Sequence, residues 1–115
     1  MVKQWQLYFM NLSPVIGSEQ AGVRPGIVIS ADYTNELNQV TVIPLTSMKA
    51  SYTTIYPNEV LLPKEISKLP KDSVALAHQI RAVDKQRLFN FVGTLTDAEY
   101  IKKIQEAIKF QLDLE

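Results

Sequence analysis

Cysteine is absent from this 115-residue chain, and histidine occurs once, as His78. These shortages exclude thiol nucleophiles, disulfides, iron–sulfur clusters and the common zinc sites, so no metal or cofactor is expected. Chemistry falls to Arg, Lys, Asp, Glu, Tyr, Ser or Thr. No apolar run is long enough to span a bilayer, and two glutamines in Met1-Val2-Lys3-Gln4-Trp5-Gln6 interrupt what would have to be a signal-peptide core. A cytoplasmic location without a membrane partner is the expectation. An excess of positive charge is also missing. The 12 basic and 12 acidic residues cancel, so any nucleic-acid site must be a local basic patch on a chain that is acidic elsewhere.

What is present suits a folded domain. Hydrophobic residues at 46% and charged residues at 21% lie far from the composition of disordered chains. The length provides one modest core, so residues 1–115 read as a single domain. Strands are predicted at Leu7–Leu12, Gly26–Ser30, Gln39–Leu45, Glu59–Leu62, Ser73–Ile80 and Phe89–Leu95, from apolar and β-branched runs separated by turn formers. Six short strands suggest a compact barrel.

Between these strands, Pro63–Asp72 is charged and bracketed by prolines, which predicts an exposed loop with at most one helical turn. Thr96-Asp97-Ala98-Glu99 has the spacing of a capping box, which makes Thr96 the predicted N-cap of a C-terminal helix. Beyond it, Ile101, Ile104, Ile108 and Leu112 recur at three- and four-residue steps. That stripe is expected to pack on the sheet.

Chemistry-bearing residues fall in three places. Gly17-Ser18-Glu19-Gln20-Ala21-Gly22-Val23-Arg24-Pro25 reads as a polar hairpin loop. It is either a solvated connection whose glycines permit turns or an anion site built on Arg24. Pro25 biases Arg24 toward extended backbone, and a guanidinium so directed is able to clamp a phosphate through two parallel hydrogen bonds. Thr46 and Ser47 stand at a strand end, where their hydroxyls either bond locally or donate to a phosphate oxygen. Alternation along a strand would put Gln79 and Arg81 on one face. His78 has a pKa suited to a general base, yet no local signature of a triad accompanies it, and a structural or surface role is favoured. Trp5 reads as core or interface.

Leu12-Ser13-Pro14, Gly17–Pro25 and Ile27-Val28-Ile29-Ser30 together resemble the N-terminal signature of the MazF/PemK toxin family. Pro44-Leu45-Thr46-Ser47 is similar to that family's second motif, and Leu76–Leu88, containing His78-Gln79-Ile80-Arg81, to its third. The resemblance implies a mainly β fold with helices (α+β), an SH3-like barrel of the MazF/PemK/CcdB toxin type with a C-terminal helix. It implies a homodimer whose interface groove binds single-stranded RNA. Also implied are a cognate antitoxin with an acidic disordered tail and operator DNA binding only together with that antitoxin.

The implied activity is a metal-independent, sequence-specific endoribonuclease in which a ribose 2′-hydroxyl attacks the adjacent phosphate. Arg24 and Thr46 match the family's catalytic positions. Glu19, Gln20, Ser47, Gln79 and Arg81 match positions lining the RNA groove, and Glu19 is also a candidate base. Two departures stand out. Gln4-Trp5-Gln6 replaces the family's usual basic residue, glycine and acid, and His78 stands where an acid often precedes the groove glutamine. The alternatives are a toxin of the same fold that binds DNA gyrase without cleaving, and a catalytically weakened RNA-binding module.

Overall fold

A computed structural model describes residues 1–115. Seven antiparallel strands form the body: β1 (Gln6–Asn11), β2 (Val23–Val28), β3 (Gln39–Ser47), β4 (Glu59–Leu62), β5 (Ser73–Leu76), β6 (Arg81–Asp84) and β7 (Leu88–Thr94). A one-turn helix α1 (Lys64–Ser67) follows β4, and helix α2 (Ala98–Leu112) closes the chain. The strand order is β4-β5-β3-β2-β1-β7, with β6 also paired to β3. The α+β architecture with its C-terminal helix is the one expected.

The strand β3 organises this topology because it changes partner along one edge. Gln39–Val42 pair with β6, whereas Leu45–Ser47 pair with β5. Pro44, which has no N–H to donate, falls in the gap between the two ladders. This switch explains the main departure from expectation. The predicted strand Ser73–Ile80 ends at Leu76, a 3-10 turn occupies Ala77–Gln79, and a separate β6 begins at Arg81. The chain must cross from one end of β3 to the other, and the turn is held by Ala77 N donating to Asn58 O and Ile80 N to Ala77 O. Gln79 and Arg81 therefore do not share a strand face.

Alternation sorts the side chains into two apolar clusters. Leu7, Ile27, Ile43 and Leu45 join Ile104 and Ala107 of α2 in the larger one, with Trp5, Tyr100, Ile101 and Ile108 packed against it. On the opposite face, Met10, Leu12, Val28, Val40, Val42 and Val83 form the smaller one. The expected helical stripe thus packs on the sheet except at its end, where Leu112 is exposed. The N-cap also shifts by one residue. Asp97 rather than Thr96 caps α2, its carboxylate accepting from Glu99 N at 2.9 Å and Tyr100 N at 3.4 Å. An ionised acceptor at the positive end of the helix dipole outcompetes a neutral hydroxyl.

Trp5 adopts φ 70°, in the left-handed region that favours glycine, at the position where the resembled family carries one. Such a conformation costs a bulky residue about 1–2 kcal/mol. It is held by Trp5 N donating to Val28 O at 2.7 Å, Leu95 N donating to Trp5 O at 2.8 Å, and burial of the side chain against the larger cluster. Flanking Trp5, Gln4 donates from its backbone to Asp32 Oδ1 and from its side chain to Ile29 O. Here Gln4-Trp5-Gln6 is a structural clasp.

Candidate functional site

The strand β2 begins at Val23, three residues earlier than its apolar run predicts, because pairing with β1 carries it upstream through Arg24 opposite Met10. Arg24 is thereby extended, as the following proline requires. Gly26 faces Pro44 of β3, and two residues further along each strand Arg24 and Thr46 come level. Arg24 Nη1 lies 3.5 Å from Thr46 Oγ1, and Arg24 Nε donates to Ala21 O at 3.0 Å. Thr46 is only 9% exposed, so its hydroxyl is fixed by packing. Met10 is the floor beside this pair. A Cβ on Gly26 would lie 2.6 Å from its Sδ and Cε, so a larger residue there would have to displace the end of the Met10 side chain.

The β1–β2 loop is drawn onto this surface by long-range bonds. Gln20 N donates to Gln79 Oε1 at 3.3 Å, which ties the loop to the 3-10 turn. Arg81 Nη1 donates to Leu12 O at 3.4 Å. Arg87, which sequence reasoning passed over, donates from Nη1 to Asn11 O at 3.1 Å and Ser13 O at 2.7 Å. Gly22, at φ 76°, returns the chain to β2, its N–H donating to Ser13 Oγ. The available signal for Arg87 was its place in the same motif as Arg81, but its role depends on carbonyls more than seventy residues away.

All three arginines of the chain thus gather around one loop. None has a carboxylate within ion-pair distance, since the two ion pairs, Lys103–Glu99 and Lys109–Glu106, both lie on α2. A neutral chain has therefore separated its charges, leaving unpaired guanidinium groups where the loop, β2 and β3 meet. Bound to carbonyls and to a hydroxyl, they keep their positive charge available for an anion.

The remaining expected residues divide. Glu19 is exposed, and its Oε1 accepts from Ile16 N at 2.7 Å. Gln20 is partly buried, with its Oε1 lacking any hydrogen-bond partner, an acceptor left over for a donor the protein does not supply. Ser47, next to Thr46 and so on the other side of β3, is exposed beside Phe9, Pro25 and Lys71. It does not join the Arg24–Thr46 pair. His78 lines a depression with Tyr56, Asn58, Phe110 and Gln111, apart from the arginines. A further cleft, between β4 and α2 around Val60, Tyr100 and Ala107, includes none of these residues. Nor do three or more His, Asp or Glu side chains gather into a set that could hold a metal ion.

Residues 3–112 match the family described as PemK-like, MazF-like toxin of type II toxin–antitoxin system. The chain is 37% identical over 114 residues to the endoribonuclease EndoA of Bacillus subtilis, covering 99% of this chain and 97% of that protein. Among solved structures it resembles MazF from Deinococcus radiodurans with a TM-score of 0.80 at 25% identity, covering 98% of this chain and 97% of that one. It also resembles a mycobacterial endoribonuclease solved in complex with its cognate antitoxin, with a TM-score of 0.79 at 21% identity and coverage of 100% and 98%.

Proposed function

The chain belongs to the PemK-like, MazF-like toxin family of type II toxin–antitoxin systems, and from that premise we propose that it is an endoribonuclease that cuts single-stranded RNA at the Arg24–Thr46 pair. The observation that carries this reading is an unpaired guanidinium held 3.5 Å from a buried hydroxyl on the neighbouring strand. Two donors so placed suit a phosphodiester.

In the proposed reaction the ribose 2′-oxygen attacks the adjacent phosphorus, the bond from phosphorus to the 5′-oxygen breaks, and the departing oxygen takes up a proton. The products are a 2′,3′-cyclic phosphate and a 5′-hydroxyl. As charge builds on the non-bridging oxygens, Arg24 and Thr46 stabilise it from fixed positions, which spares the reorganisation that water would need. Glu19, on the adjoining loop, is the candidate to receive the 2′-hydroxyl proton. Gln20, Gln79 and Arg81 supply donors and acceptors for the flanking bases, and Ser47 extends the surface around the strand end.

The same reading includes a homodimer, supported by the exposed apolar side chains Phe110, Leu112 and Leu114 at the end of the chain. It also includes an antitoxin whose acidic tail competes with RNA for the arginines, operator DNA bound only with that antitoxin, and a cytoplasmic setting. The test is incubation with a long RNA in EDTA followed by mapping of the ends. Cleavage leaving cyclic phosphate and 5′-hydroxyl ends is expected, and a 2′-O-methyl group before the cut should abolish it. Absolute dependence on added magnesium, or 5′-phosphate ends, contradicts the mechanism.

A further inference from the structure

Beyond the arginines, a second group of unpaired cations gathers where β3 runs out. Ser47 opens onto a depression shared with Phe9, Pro25, Pro70 and Lys71. Pro70 and Lys71 also form a wall of an adjoining cleft, whose other sides are Met48, Lys49, Ala50, Lys64 and Asp72. The two hollows share Pro70 and Lys71 and so form one path past the end of β3, which starts on the Ser47 side of the strand rather than on the side that carries the Arg24–Thr46 pair. Its edges are held together, because Met48 N donates to Asp72 O at 2.8 Å and Lys64 N to Asp72 Oδ1 at 2.9 Å.

Along this path Lys49, Lys64 and Lys71 have no ion-pair partner, and the single carboxylate lining the cleft already accepts a backbone N–H. Phe9, at the start of the path, lies 6.4 Å from the half-exposed ring of Phe89, centroid to centroid. Cations following an aromatic face are the ingredients of a single-stranded nucleic-acid track, in which phosphates meet lysines and bases stack on rings.

We propose that the cleft between Met48–Ala50 and Pro70–Asp72 is a second phosphate subsite, binding the backbone of RNA that flanks the cleaved bond. This rests on the ribonuclease reading for its ligand. The lysines act on affinity for longer RNA and leave the chemical step at Arg24 untouched. A lysine ammonium suits this task because it serves as a point charge for phosphates arriving at varied angles.

The test uses short and long 2′-O-methyl oligouridylates, which carry no free 2′-hydroxyl, with binding followed by fluorescence anisotropy across a range of salt. Wild type is compared with a K49Q/K64Q/K71Q variant whose fold is checked by circular dichroism. Each single-strand phosphate contact contributes about 0.7 to the slope of log affinity against log salt, so the variant should lose about 2 from the slope on the long oligomer. The advantage of long over short RNA should shrink with it. An unchanged slope on the long oligomer overturns the subsite. So does weakened binding of an oligoglutamate peptide with RNA binding intact, which assigns the cleft to an acidic protein segment. Cleavage of a long natural RNA is measured in parallel. Failure of wild type to cut would remove the ribonuclease reading, while the slopes would still decide the cleft.

Discussion

The core beneath α2 and the end of the sheet around the β1–β2 loop are held in different ways. Behind β2 and β3, against α2, the contacts are apolar, and both ion pairs of the chain ride on the outer surface of that helix. At the opposite end, around the β1–β2 loop, the fastenings are guanidinium-to-carbonyl and amide-to-amide bonds between residues 59 to 76 positions apart. One region spends its residues on burial. The other holds charges uncompensated, which costs stability and retains the power to bind an anion. Stability and activity should therefore respond to different substitutions.

The largest expected effect is on the loop side. R24A and T46V should each lower the single-turnover cleavage rate on the order of a hundred- to a thousandfold, equivalent to about 3–4 kcal/mol, because each removes one donor from the transition state. Val keeps the shape of Thr46, so thermal melting should barely change in T46V. A variant that melts early and regains activity when stabilised would instead make these residues structural.

The converse substitution is I104A in α2, which empties part of the larger core. Loss of about 2–5 kcal/mol in denaturant unfolding is expected, with the cleavage rate of the molecules still folded unchanged. A fall in that rate equal to the one in R24A would show that the two regions are not separable.

A smaller effect sharpens the account of α2. D97A should lose about 1 kcal/mol of stability and T96A much less, since the Asp97 carboxylate accepts the two free N–H groups. Equal losses would return the cap to Thr96. The smallest effect concerns pH. Burial pushes the Tyr8 phenol up from its ordinary value of 10.0, so the folded state keeps a proton that the unfolded chain releases. Its contribution is intact below the unfolded value and is lost as pH rises through the folded one. The alkaline fall in stability should be shallower in Y8F, and identical curves would exclude Tyr8.

The same contrast governs how much could be read from the sequence. The apolar side was legible because burial imposes a period, so β1, β3, β4 and the Ile101–Ile104–Ile108 stripe follow from spacing alone. The break at Leu76 was not, since Val74 to Ala77 form an unbroken apolar run without Gly or Pro to mark its end, and the turn exists only because β3 changes partner at Pro44. Arg24 and Thr46 were singled out as individual residues and by family resemblance. Their approach depends on strand register, which no local pattern encodes. Arg87 was missed for the same reason. Trp5 was read as core or interface, but its left-handed backbone became visible only with the fold, as the replacement of a glycine that packing makes tolerable.

The central claim, that a planar guanidinium at position 24 stabilises the phosphate during cleavage, is tested most directly by R24K. Single-turnover rates at saturating enzyme, measured beside circular dichroism and RNA affinity, separate charge from geometry. Lysine preserves the charge but not the two-pronged donor. The account predicts a folded variant that binds RNA nearly as well as wild type and cleaves it far more slowly. Cleavage at the wild-type rate by folded R24K would contradict it.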